Sequence, residues 1–148
     1  MSEKIHFYRT EDEHGSFSNF APHPIEVDGK LWPTSEHYFQ AQKFAGTEHE
    51  EAVRQEHSPM VVARMGRDRK RPLRPDWEAI KDDLMRKAVL AKFTQHAELR
   101  TLLLGTGDAE IVEHTANDSY WGDGGDGSGR NMLGRILMKV RGRLRDDA

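Results

Sequence analysis

The 148-residue chain contains no cysteine, which excludes disulfide scaffolds, thiolate zinc sites, iron–sulfur clusters and cysteine nucleophiles. It has no apolar run approaching the ~18 residues of a membrane span, and Met1 to His6 lacks the apolar core of a secretory signal. Apolar residues are scarce: 36% of the chain against 32% charged, with a mean hydropathy of −0.81. That balance would permit disorder, but three Trp, six Phe and periodic apolar segments point to a folded, polar, cytoplasmic protein. The eight histidines fall at no metal-ligand spacing, and no serine lies in a Gly-x-Ser-x-Gly elbow. Neither a metal nor a cofactor is therefore expected, nor an α/β-hydrolase. One domain spanning residues 1–148 is the natural organisation at this length, with roughly two-thirds of the unfolded surface buried.

The formal net charge of −3 is unevenly spread. Residues 1–58 carry five Lys/Arg against eleven Asp/Glu, and residues 59–148 seventeen against fourteen. Six bases against one acid lie between Arg64 and Arg74, and the last segment adds Arg130, Arg135, Lys139, Arg141, Arg143 and Arg145. Local basic clusters on an acidic chain suit a phosphate-bearing small molecule better than bulk nucleic acid. A solvated basic face accounts equally for the terminal cluster.

The periodicity predicts an α+β fold, mostly helical, with a small antiparallel sheet. Ile5 to Tyr8 reads as a strand, and Ile25 to Trp32 as a hairpin about Asp28-Gly29. A helix enters at Pro33-Thr34-Ser35 and stops at Gly46, a charged one spans about 48–56, and Ser58-Pro59 opens a third that ends near Gly66. Asp76 is placed to cap a helix running to about Phe93. A further helix follows at Glu98–Leu104, then an extended segment at Glu110–His114. After a glycine-rich loop at 117–129, Met132, Leu133, Ile136, Leu137, Val140 and Leu144 mark the buried stripe of a last helix.

Three segments could carry chemistry. In Thr34 to Phe44, Glu36, Gln40 and Lys43 recur at i, i+4 and i+7, placing an acid and an amine about 10 Å apart along one helix face. A carboxylate there could move protons and a desolvated lysine could attack carbon. The same spacing suits an ordinary amphipathic helix whose end charges oppose its dipole. The loop from Asn117 to Gly129, feeding Arg130-Asn131, could present backbone N–H groups to an anion. It is neither a Walker loop nor an EF-hand, and it could equally be a plain surface loop. Gly15 to Phe20 could hold a sugar hydroxyl through Ser18 and Asn19, or be a turn whose phenylalanines enter the core.

Read together, Gly15 to Phe20, Trp32 to Phe44, Ala63-Arg64-Met65-Gly66-Arg67, Trp77, Met85-Arg86-Lys87-Ala88 and Asn117 to Gly124 resemble the NADAR, or YbiA-like, family of N-glycosidases, from about Ile5 to Arg143. The resemblance implies hydrolysis of the N-glycosidic bond between a phosphorylated ribose and a base. Two substrate classes follow from it: ribosylaminopyrimidine phosphates of early riboflavin synthesis, releasing ribose 5-phosphate, and ADP-ribose on guanine, releasing ADP-ribose. By motif position it assigns Glu36, Lys43 and Asp118 to catalysis. Ser18, Asn19, Arg64, Arg71, Trp77, Trp121, Gly122, Asp123 and Asn131 are expected to bind substrate. The expected partner is a nucleotide-like small molecule, with ADP-ribosylated nucleic acid as one candidate, and no membrane; the oligomeric state is left open. A non-catalytic module that binds ADP-ribose or a nucleotide is the alternative, since stacking and phosphate contacts alone would serve it.

Overall fold

The computed structural model describes residues 3–147. The chain forms two compact units, one continuous from Pro22 to Lys92, the other drawn from both chain ends, up to Ala21 and from Phe93.

The continuous unit opens with strands β1 (Ile25–Val27) and β2 (Lys30–Trp32), paired antiparallel with Ile25 opposite Trp32. Asp28 and Gly29 both have positive φ, 55° and 77°, the backbone that a two-residue hairpin turn requires. Trp32 packs inward and its indole N–H donates to the Val27 carbonyl (3.2 Å). Helix α1 (Ser35–Gln42) is capped by Thr34, whose hydroxyl accepts the His37 N–H (3.1 Å). Helices α2 (Glu48–Gln55) and α3 (Pro59–Gly66) follow, capped by Thr47 and by Ser58. Each such cap contributes about 1 kcal/mol. Helix α4 (Trp77–Gln95) comes next; the Asp76 carboxylate just before it pairs with the Arg74 guanidinium (2.7 Å). The core of this unit gathers Ile25, Val27, Trp32, Tyr38, Ala41, Phe44, Val53, Val62 and Ala88.

The other unit contains strand β3 (Lys4–Phe7), a 3-10 turn (Gly15–Phe17), helix α5 (Ala97–Gly105), strand β4 (Glu110–Glu113) and helix α6 (Met132–Asp146). Strand β3, the first in the chain, pairs with β4 in parallel, Lys4 opposite Glu110 and Phe7 opposite Glu113. The strands thus form two separate two-stranded sheets, the antiparallel hairpin and this parallel pair, where a small antiparallel sheet was expected. Two short apolar runs a hundred residues apart carry no signal of relative direction. Leu133, Ile136, Leu137, Val140 and Leu144 of α6 are buried as the stripe requires. The helix lies so close to β4 that a side chain at Gly134 would run into the Ile111 carbonyl oxygen. Arg141 departs from the solvated-face reading. It is 7% exposed, and its guanidinium donates to the Thr106 hydroxyl (2.9 Å) and the Ala109 carbonyl (2.8 Å). Phe17 is buried, its ring edge-on to Phe7 and to Phe93.

Candidate active site

All eight residues of α1 are buried, not one face of it. The amphipathic reading therefore fails, because Glu36 (7% exposed) and Gln40 (8%) are enclosed with the apolar residues. Enclosed carboxylates are uncommon without a partner. Here the Gln40 amide donates to Glu36 Oε2 (2.8 Å), and Gln40 Oε1 is buried without a hydrogen-bond partner.

Lys43 caps the C-terminal end of α1. Its Nζ donates to the Gly66 carbonyl (3.1 Å) and lies 5.6 Å from the centroid of a Trp77 ring. Burial pushes its pKa below the usual lysine range, and the Arg67 and Lys81 charges act in the same direction against Glu36 and Glu78. Loss of hydration, more than a cationic neighbour, therefore favours the neutral amine. The basic connection after α3 is fastened here: the Arg74 N–H donates to the Lys43 carbonyl (2.9 Å) and its guanidinium to the Gln42 carbonyl (3.3 Å). This satisfies carbonyls that the end of α1 would otherwise leave open.

Lys43, Gly66, Arg67, Arg69, Arg71, Leu73 and Trp77 line a cleft of about 660 Å³, a volume suited to a nucleotide-sized ligand. Arg71 donates to His49 Nδ1 (2.8 Å) and sits 3.4 Å from Asp68 Oδ2, while its Nε is buried without a hydrogen bond. Trp77 is 5% exposed and packs on Phe39, with 5.0 Å between ring centroids. It is a wall beside the amine more than an open platform for a base. Arg64 is exposed, its guanidinium 3.6 Å from the Met60 sulphur, and it does not line the cleft; Arg67 and Arg69 do.

The remaining expected residues, Ser18, Asn19, Asp118, Trp121, Gly122, Asp123 and Asn131, belong to the other unit. Ser18 and Asn19 are buried, and the Ser18 hydroxyl accepts the Phe20 N–H (3.1 Å). The glycine loop does not present the row of free amides that its composition suggests. The N–H groups of Asp123, Gly124, Gly129, Arg130, Asn131, Met132 and Leu133 all donate to backbone carbonyls, those of Met132 and Leu133 to Tyr120 and Trp121. The first two N–H groups of α6, those of Met132 and Leu133, are thereby already used, which argues against an anion cradle at this helix start. Asn131 is used internally as well: it accepts the Glu113 N–H (3.0 Å) and donates to the Ile111 carbonyl (2.9 Å). At Gly122 a Cβ would lie 2.8 Å from the Thr115 methyl and 2.9 Å from the Asp118 carbonyl oxygen, so its glycine serves packing. Asp118 Oδ1 accepts from the Tyr120 and Trp121 N–H groups (2.9 and 2.8 Å), fixing the turn that sets the Trp121 ring edge-on to Tyr120.

Residues 6–145 match the NADAR domain family. The chain belongs to the NADAR family. It is 63% identical over 140 residues to N-glycosidase YbiA of Escherichia coli (strain K12), covering 95% of this chain and 88% of that protein. It is 45% identical over 148 residues to riboflavin biosynthesis protein VVA0006 of Vibrio vulnificus (strain YJ016), covering all of this chain and 40% of that longer one. The NMR structure of E. coli YbiA superposes with a TM-score of 0.91 at 60% identity, over 99% of this chain and 88% of that one.

For this NADAR protein, sequence reasoning set Gln40 on the face of Glu36 and Lys43 without giving it a role, and missed Gly66, Arg67 and Arg69 as parts of the site. Gly66 looked like a helix stop. The structure shows instead that a Cβ there would collide with the Gln40 carboxamide and stand 3.2 Å from Lys43 Nζ. Gly66→Ala is expected to lower kcat/KM by about 10²-fold through displacement of the amine, and to lower stability by about 1–3 kcal/mol through overpacking. Steady-state kinetics paired with urea denaturation would check both.

Proposed function

We propose that this protein hydrolyses the N-ribosyl bond between a phosphorylated ribose and a base carried on an exocyclic amine, with Lys43 as covalent nucleophile. One observation carries the assignment: a lysine whose pKa is lowered by burial stands in a nucleotide-sized, arginine-lined cleft. N-glycosidase activity accords with the name of the E. coli relative. The name of the Vibrio relative supports a ribosylaminopyrimidine phosphate as substrate. ADP-ribosylguanine in nucleic acid is the second candidate, because arginines hold a diphosphate as readily as a monophosphate. The seat of the reaction is the cytoplasm, in accord with a cysteine-free chain. No helix among the described residues is long and apolar enough to cross a membrane.

The chemistry runs as follows. Cleavage of the ring C1–O4′ bond leaves an iminium between C1 and the base nitrogen, and O4′ takes a proton from solvent. The neutral Lys43 amine donates its lone pair to C1. Glu36 accepts a proton from Nζ and returns one to the base nitrogen. The C1–N bond to the base then breaks, leaving a Lys43–C1 Schiff base. Water adds to C1 and returns one proton to solvent, its second proton passes to Nζ as the Lys43–C1 bond breaks, and the aldose is released and recloses. Arg67, Arg69 and Arg71 hold the phosphate, and the enclosed Glu36 carboxylate stabilises positive charge at C1. Asp118 is proposed as the second proton-transfer group on its motif position alone. All of the chain from residue 6 to 145 acts as one NADAR domain.

Mass spectrometry of products from a ribosylaminopyrimidine phosphate, and in parallel from an ADP-ribosylguanine oligonucleotide, tests the proposal. Ribose 5-phosphate from the first is expected. ADP-ribose from the second alone would move the protein to reversal of nucleic-acid modification, and release from neither would leave a binding module.

A further inference from the structure

Two histidines and an aspartate outside the Lys43 cleft come together in the unit built from the chain ends. In the parallel pair His6 stands opposite Val112. His114 lies two residues further along, so the two-residue period of a strand places it on the face that bears His6. Their rings meet edge-on, 5.1 Å apart at 68°. The glycine loop brings Asp123 alongside, with Oδ2 2.7 Å from His114 Nδ1 and Oδ1 accepting the Thr115 and Gly125 N–H groups (3.0 and 2.9 Å). One ring nitrogen from each histidine and one Asp123 oxygen all lie within 4.8 Å of one another. His6 and Asp123 also line a recess of about 270 Å³.

We propose that His6, His114 and Asp123 bind a divalent ion of the zinc type. Ligands on bonds of about 2.0–2.2 Å must approach within about 4 Å of each other. Small rotations of the two exposed histidine rings achieve this. Two imidazoles and one carboxylate favour zinc, cobalt or nickel over magnesium or calcium. The two backbone N–H groups on Oδ1 hold the carboxylate with Oδ2 facing the histidines, the outer support that metal carboxylates require. Three cationic side chains, Lys4, Arg130 and Arg135, also line the recess; Lys4 is 3.9 Å from Glu110 and the Arg130 guanidinium lies over the Tyr120 ring at 4.9 Å, while Asp123 and Glu110 supply negative charge on the same lining. The ion fastens the glycine loop to the edge of the β3–β4 pair. Asp123, expected to touch substrate, takes this clamping role instead. Sequence spacing could not show the site, since its histidines lie 108 positions apart in the chain.

Chelator-stripped full-length protein would be titrated with ZnCl₂ by calorimetry and with CoCl₂ by visible absorption. One equivalent of Zn²⁺ and the appearance of Co²⁺ d–d bands are expected. His6→Ala and His114→Ala should each weaken Zn²⁺ binding by more than about tenfold, a loss that removal of even an outer-shell partner can produce, while His96→Ala leaves it intact. His6 is exposed, so thermal melting of metal-free His6→Ala should match that of metal-free wild type and separate lost ligation from lost folding. Absence of saturable binding, equal affinity in wild type and His6→Ala, or loss in His96→Ala would each overturn the assignment.

Discussion

Lys43→Ala is expected to lose turnover by on the order of 10³-fold or more, the scale on which removal of a nucleophile is felt, while binding substrate almost as before. The arginines that hold phosphate are separate residues on the cleft wall. The lost amine donates to one neutral backbone acceptor, the Gly66 carbonyl. In the wild type kcat/KM should rise about tenfold per pH unit until the Lys43 pKa is passed, because only the neutral amine attacks. That pKa lies below the ordinary lysine value, so the plateau should begin below the range of a solvated lysine. Glu36→Gln should keep the shape of the site and lose about 10²–10⁴-fold, the span typical of general acid–base groups. Stopped assays across pH, with calorimetric substrate binding to the inactive variant, measure all three. A Lys43→Ala protein that retains turnover would assign the chemistry elsewhere.

The largest effect on stability is expected at Lys92, which is 1% exposed and whose pKa burial lowers to about 7. The sign follows from linkage. Between about 7 and the ordinary lysine value the unfolded chain binds a proton that the folded chain does not. Stability therefore rises with pH across that window, by up to about 1.4 kcal/mol per unit, and is flat below it. Lys92→Met should raise the urea midpoint at pH 7 and flatten that rise. Lys43 shifts in the same direction and leaves part of the slope. Tyr38, pushed up to about 12 by burial, opposes it only above the ordinary tyrosine range, so urea titrations should span pH 7 to 10. An unchanged slope in Lys92→Met would show that the ammonium is accommodated in its charged form.

Elements with local signatures were legible in the sequence. Asp28-Gly29 announced the hairpin, Ser58-Pro59 the start of α3, and the spacing from Met132 to Leu144 the buried stripe of α6. The string from Thr34 to Phe44 pointed to Glu36 and Lys43 by type and spacing. What it could not convey was that α1 is enclosed on every side, because the covering residues lie elsewhere in the chain, and enclosure is what lowers the Lys43 pKa. Composition misled most in the glycine loop. Glycines signal a backbone able to bend, but not where its N–H groups turn, and here they turn inward. The basic run from Arg64 to Arg74 was read as a cluster of equals. The fold divides it: Arg74 fastens the end of α1, Arg67, Arg69 and Arg71 line the cleft, and Arg64 lies outside the lining.

Borohydride reduction during turnover of the ribosylaminopyrimidine phosphate, followed by peptide mass spectrometry, probes the covalent step itself. The Schiff-base mechanism predicts a reduced pentose-phosphate adduct on the peptide that carries Lys43, formed only when substrate and enzyme are both present and absent from Lys43→Ala. Full turnover in the presence of borohydride, with no adduct on any lysine, would mean that water attacks C1 directly and that Lys43 serves only to place the substrate.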